Sequence, residues 1–344
     1  MNKITKLAGM ATIAILLVGC QNPEEETVQD AESVDESQNE SDPADQEEQK
    51  TGNNADENSN NKDTNEESSN EDADNDSGTY GGTQETPNYF IDSQIFSSEN
   101  KFYTAYTIER DHEGDMPLED RLEESLTEND PSEQDILSSF TDMTVEWPKL
   151  QVNFTEEGNQ LSATSAQMML FYDSLFGISD LYGIEEVSFF NPDGEENITV
   201  AERLVDEPMQ IEDERGLTRG YYTVYDQDLE QTLFLPGGEL EEQVTNDNEE
   251  PLSFPETVEA MATVDREDAF YSSAMVEGLE VVHASIENGV ATVQYTLDEE
   301  IVTEDDRTVF ENAIQLAALD FNAWEVRLIN DTLQEIITYP LVGQ

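Results

Sequence analysis

Two histidines and one cysteine are the only imidazole and thiol chemistry available to this chain of 344 residues. His112 lies in the polar run Asp111-His112-Glu113-Gly114-Asp115, and His283 sits inside the β-rich run Val281-Val282-His283-Ala284. A Ser-His-Asp relay would have to use one of them, and neither context favours a general base. The 111–115 loop has oxygen ligands of the type Ca²⁺ prefers, but it lacks the spacing of a twelve-residue EF-hand loop and reads as a solvated turn. Carboxylates are so abundant, 81 against 14 Lys+Arg, that any pair could be proposed for glycosidase-type acid–base work and none is singled out. The sequence holds no glycine-rich phosphate loop and no His-Glu-x-x-His motif. These observations predict no enzyme, no cofactor and no metal. A formal charge of −67 disfavours nucleic acid as a partner.

Aromatic side chains are the remaining candidates for recognition. Tyr103 and Tyr106 recur as Tyr222 and Tyr225, and Trp147 and Trp324 lie beside predicted strands. Such residues serve interfaces and glycan stacking. A repeated position also marks a repeated fold, which favours core packing for them.

The single thiol, Cys20, ends an export signal. Lys3 and Lys6 supply its positive start, and residues 7–18 form an apolar stretch too short to span a bilayer as a mature helix. The sequence Leu17-Val18-Gly19-Cys20 resembles the lipobox of bacterial lipoproteins. That resemblance implies diacylation of Cys20, cleavage before it, and a lipid bilayer as a partner on the outer face of the cell membrane.

Residues 21–86 carry 22 carboxylates and two lysines, with Val28, Val34 and Tyr80 as almost their only apolar content. So little apolar surface cannot offset ordering entropy, and a disordered acidic tether is expected. Subtracting the signal's +2 and the tether's −20 leaves −49 for residues 87–344. Self-repulsion on this scale needs screening, so a salty or alkaline habitat is expected. The urea midpoint should rise between about 0.05 and ~2 M NaCl. A flat series would contradict that.

The part that positions these residues is duplicated. Residues 101–106 (KFYTAY) match 220–225 (GYYTVY), residues 152–155 (VNFT) match 293–296 (VQYT), and residues 186–191 (EVSFFN) match 325–330 (EVRLIN). Between the second and third matches each copy carries a helical stripe: Phe171, Leu175, Ile178 and Tyr182 in one, Phe310, Ile314, Ala317 and Phe321 in the other. Thr164 and Thr303 are candidate N-caps, and Gly183 and Asn322 stand where a left-handed C-terminal residue is needed. Asn288-Gly289 between β-rich runs predicts a hairpin over 279–297, and its counterpart in the first copy is shorter and interrupted by Pro148. Short helices are predicted at 117–126 and 255–264. The fold class is therefore α+β: two tandem units, 88–204 and 217–344, each a small sheet packed with about two helices.

Lipobox, acidic tether and two such units together resemble the GerM-type lipoproteins of spore-forming bacteria, whose repeat is the GerMN domain. The hairpin Asn288-Gly289-Val290-Ala291 and the turn Asn191-Pro192-Asp193-Gly194 carry the likeness. The second copy departs at Asn330-Asp331-Thr332, and neither copy has the family's Leu-Pro-x-Gly stretch before the hairpin. A similar tandem occurs in the extracytoplasmic part of sigma-X-type anti-sigma regulators, although no cytoplasmic segment is expected here. The resemblance implies a non-catalytic envelope module of sporulation, germination or envelope-stress regulation, with an envelope protein as partner and no catalytic residues. The alternatives are a peptidoglycan-binding or wall-active protein, and a hydrolase on an unrecognised α+β fold.

Overall fold

The computed structural model describes residues 80–111, 114, 116–132, 135–156 and 165–341. Cys20, nearly all of the expected tether, His112 and Thr164 lie outside the described residues. The first repeat is preceded by strand β1 (Gly81–Gln84). It comprises the hairpin β2 (Tyr89–Ser98) and β3 (Lys101–Arg110), helices α1 (Leu118–Glu128) and α2 (Ile136–Phe140), and the hairpin β4 (Thr141–Glu146) and β5 (Lys149–Phe154). Helix α3 (Ser165–Leu181), strand β6 (Glu186–Phe190), a small hairpin β7 (Ile198–Val200) and β8 (Arg203–Val205), strand β9 (Met209–Gln210) and helix α4 (Ile211–Arg215) follow. The second repeat runs through β10 (Tyr221–Asp226), β11 (Gln231–Pro236), α5 (Phe254–Ala260) and β12 (Ser272–Ser273). It continues through β13 (Leu279–Glu287), β14 (Val290–Leu297), α6 (Glu304–Leu319), β15 (Glu325–Asn330) and β16 (Glu335–Pro340). The class is α+β, as the sequence predicts.

The duplication extends to hydrogen-bond register. β5 and β6 pair in parallel with Lys149 opposite Glu186 and Val152 opposite Phe189. β14 and β15 do the same, with Val290 opposite Glu325 and Val293 opposite Leu328. Each parallel pair is bridged by the long helix that such a connection needs. Both helical stripes face the core: Phe171, Leu175, Ile178 and Tyr182 are buried, as are Phe310, Ile314 and Ala317. Thr303 caps α6, accepting from the Asp306 amide at 3.1 Å, while the Asp306 side chain reaches back to the Thr303 amide at 3.0 Å. Ser253 and Glu256 form the same reciprocal cap on α5. Gly183 and Asn322 both have the left-handed backbone expected of them, at φ 77° and 52°.

The β13–β14 turn has positive φ at both Asn288 and Gly289, as the tight hairpin predicts. A Cβ on Gly289 would lie 2.1 Å from Nε1 of Trp324, so only glycine fits there. The turn after β6 and the turn after β15 also correspond. Asn191 Oδ1 accepts from the amides of Asp193 and Glu195, and Asn330 Oδ1 from those of Thr332 and Leu333. The second copy lacks the glycine of the first and uses Gln334 at φ 52° instead.

The structure corrects one of the three repeat matches. Residues 101–106 lie in β3, the second strand of its hairpin, whereas 220–225 fall at β10, the first strand of the other. The true counterpart of β10 is β2. Each is the first strand of its hairpin and is tied to its repeat's first helix: the Ile91 amide donates to Ser125 of α1, and the Tyr222 hydroxyl donates to the Ala260 carbonyl of α5. By the pairing registers Ile91 and Tyr221, both fully buried, are then equivalent.

The two hairpins form one sheet of order β12-β10-β11-β3-β2, in which β11 and β3 meet antiparallel with Phe234 opposite Tyr106. The equivalent second strands thus join the repeats about a local two-fold. Tyr106, Ile108, Tyr221 and Phe234 point from this sheet into the main core with the helices. Tyr103, Ala105, Tyr222, Val224 and Leu233 point the other way, into a smaller core closed by Phe270 and Tyr271. The outer sheets are β4-β5-β6-β9 and β1-β16-β15-β14-β13. β1 is a second correction, because residues 81–84 were expected in the tether. They pair in parallel with β16 through backbone hydrogen bonds while every side chain stays exposed. An edge needs no apolar partner to capture a strand in this way.

Candidate functional site

Three of the six candidate aromatics are structural. Tyr103, Tyr106 and Tyr222 are buried, and Tyr103 and Tyr222 pack on Phe270 and Tyr271 at ring-centroid distances of 5.1 and 5.7 Å. Tyr225 is 60% exposed at the far end of β10. Trp147 is exposed at the β4–β5 turn, and Trp324 donates its indole N–H to the Asn288 carbonyl at 2.8 Å. These three outer aromatics occupy three different elements. His283 lies exposed on β13.

The junction of the repeats holds two partly buried cations that sequence reasoning passed over. Arg110, at the end of β3, donates to Gln315 Oε1 on α6 at 3.0 and 2.8 Å and to the Thr86 carbonyl at 2.5 Å. Its guanidinium lies over the Tyr339 and Tyr89 rings, at 5.0 and 5.7 Å. Burial lowers its pKa to about 10. Arg215, ending α4, donates to Asp180 at 2.5 Å and lies 5.7 Å from the centroid of the Tyr106 ring. Asp320, just past α6, accepts from the Tyr221 hydroxyl at 3.1 Å, while its Oδ2 and the Nη2 of Arg215 have no hydrogen-bond partner.

Asp180 and Asp320 line a polar cleft of 430 Å³ together with Gly183 and Asn322, so both long helices end there. Burial and the neighbouring Asp180 raise the Asp320 pKa to about 7, against the opposing pull of Arg215 and the Tyr221 hydrogen bond. The folded state therefore holds a proton that the unfolded chain releases near pH ~4. This contribution to stability is full below that pH and is lost as pH rises through about 7. Asp320→Asn should flatten this segment of the profile, read as urea midpoint between about pH 4 and ~8. A profile parallel to the parent's would contradict the assignment.

The apolar candidate is a separate groove of the second repeat. β13 is the outermost strand of its sheet, with no strand beyond it among the described residues. Between β13 and α5 runs a groove of 580 Å³ lined by Pro255, Val258 and Ala262 from the helix side and by Val281, Val282 and Ala284 from the strand. The register slips between Val281 and His283, a bulge that leaves Val282 57% exposed. Glu259 and Glu280 stand at the groove, and Glu287 ends the strand. No group of three or more His, Cys, Asp or Glu side chains placed to hold a metal occurs among the described residues.

No family model matches the chain. No curated protein matches it. Among solved structures, the chain is similar to the tandem GerMN domains of the sporulation protein GerM from Bacillus subtilis. The identity is 11% and the TM-score 0.41, over 70% of this chain and 95% of that one.

Proposed function

We propose that this protein is a lipid-anchored extracytoplasmic interaction module, non-catalytic, that docks an envelope protein. The observation that carries the reading is the free edge of β13 beside an apolar groove, a combination suited to receiving a protein segment. The lipobox at Cys20 and the acidic residues after it support placement on a membrane surface, with the folded repeats held away from it. The resemblance in sequence to GerM-type lipoproteins supports a role in sporulation, germination or envelope-stress regulation. The fused central sheet holds both repeats in a fixed relation, which suits a docking platform.

The test is affinity capture with the full chain as bait, at high salt, against solubilised envelope and against purified cell wall. The expected result is one reproducible protein partner from the envelope. Retention on bare wall with no protein partner would replace this reading with the peptidoglycan-binding one.

A further inference from the structure

We propose that the β13 edge takes an extended, basic segment of a partner protein, paired to it strand to strand, with alternate apolar side chains in the α5 groove. This deepens the docking reading above and rests on it. Three observations choose the occupant.

First, the sheet containing β13 already takes a strand at its other edge. β1 joins β16 with all four of its residues exposed, two of them glycines, so strand pairing seats an extended segment there without burying any of its side chains. At β13 the groove adds apolar contacts from Pro255, Ala262 and Val282 that β1 lacks. Second, the edge is acidic along its length. Glu280 and Glu287 bracket β13, and Glu259 faces it from α5. Lysine or arginine side chains on alternate positions of an incoming strand would meet these carboxylates, while its other face filled the groove. Third, the same charges disfavour a second copy of this chain. An antiparallel β13–β13 pairing centred on His283 sets Glu280 of one copy opposite Ile286 and one place from Glu287 of the other, twice. A whole-chain charge of −67 adds long-range repulsion.

The bulge at Val282 is compatible with this occupant. It breaks regular pairing at one point, which protects an edge against indiscriminate self-association, and it lifts an apolar side chain out for contact.

The experiment uses the full chain and three synthetic peptides of nine residues, the length of β13. One alternates Val and Lys, one alternates Val and Glu, and one is the Val/Lys peptide with N-methylated backbone. Amide hydrogen exchange and labelled-peptide anisotropy are read at about 0.15 M salt. The Val/Lys peptide is expected to slow exchange across 280–287. Its binding should weaken by about tenfold in the double variant Glu259→Lys, Glu280→Lys. The Val/Glu and N-methylated peptides should leave 280–287 unprotected.

Equal binding of the N-methylated peptide would overturn the proposal, because attraction would then be by charge without pairing. So would absence of protection by the Val/Lys peptide, or protection that grows with protein concentration alone, which would make a second copy the occupant. If envelope capture succeeds while the Val/Lys peptide gives no protection, the strand-pairing proposal fails and the module reading stands. If capture fails too, both fail.

Discussion

Truncating Phe310 to alanine is expected to destabilise the protein by about 3–5 kcal/mol. The side chain is fully buried on the core stripe of α6, 5.0 Å from the Tyr295 ring. Its removal loses the transfer energy of a phenyl group and leaves a cavity that its close-packed neighbours cannot fill. Phe171 holds the equivalent position on α3 and is equally buried, so Phe171→Ala should cost a similar amount. The two repeats share one continuous core and one central sheet. Either substitution should therefore shift the same single unfolding transition, followed by circular dichroism in urea. Two transitions, each moved by only one of the variants, would show that the repeats fold independently.

Arg215→Met is expected to cost about 2–4 kcal/mol. The arginine side chain is 7% exposed, and its partner Asp180 is 36% exposed. Asp180 can regain water when the cation is lost, which keeps the cost below that of a fully enclosed pair. Asp320 is deeper, and without Arg215 it loses a source of favourable charge beside an already unpartnered Oδ2. Above about pH 7, where Asp320 is ionised, the penalty is therefore expected to come chiefly from the carboxylate left behind. Adding Asp320→Asn to Arg215→Met should recover a substantial part of the loss, measured as a coupling energy in a double-mutant cycle. Additive costs would place the effect of Arg215 in packing against Tyr106 instead.

The sequence made the repeat visible because the elements around α3 and α6 obey strong local rules. The stripe spacing, the Thr303 cap, the left-handed Gly183 and Asn322, and the Asn288-Gly289 turn each follow from backbone or burial constraints acting within a few residues. The nearly constant offset between copies carries through to the register of the parallel pairs. The misaligned match arose because the central sheet is covered on both faces. Its strands read as continuous apolar runs, and Tyr-x-x-Tyr fits β3 and β10 equally well. β1 gives no apolar signature at all, since it is held by backbone alone.

The functional surfaces were less legible for a related reason. Arg110 and Arg215 act through contacts with partners distant in sequence, and nothing local distinguishes them from a surface arginine. Their scarcity was the available clue: in a chain with 14 basic residues, a cation can find an exposed carboxylate almost anywhere, so one drawn inward has a structural role. The β13 groove depends on sheet order, which leaves His283 and Val282 at an edge where the run Val281-Val282-His283-Ala284 alone reads as any strand.

The most direct test of the docking account is site-specific photo-crosslinking of the full chain in its own cells. A photoreactive residue replaces Val282, at the β13 edge, or Leu204, on β8; their exposures are 57% and 62%. The account predicts that one discrete partner protein is captured from position 282 and not from 204. Capture of the same protein with equal yield from both, or none from 282 while 204 gives one, would contradict it.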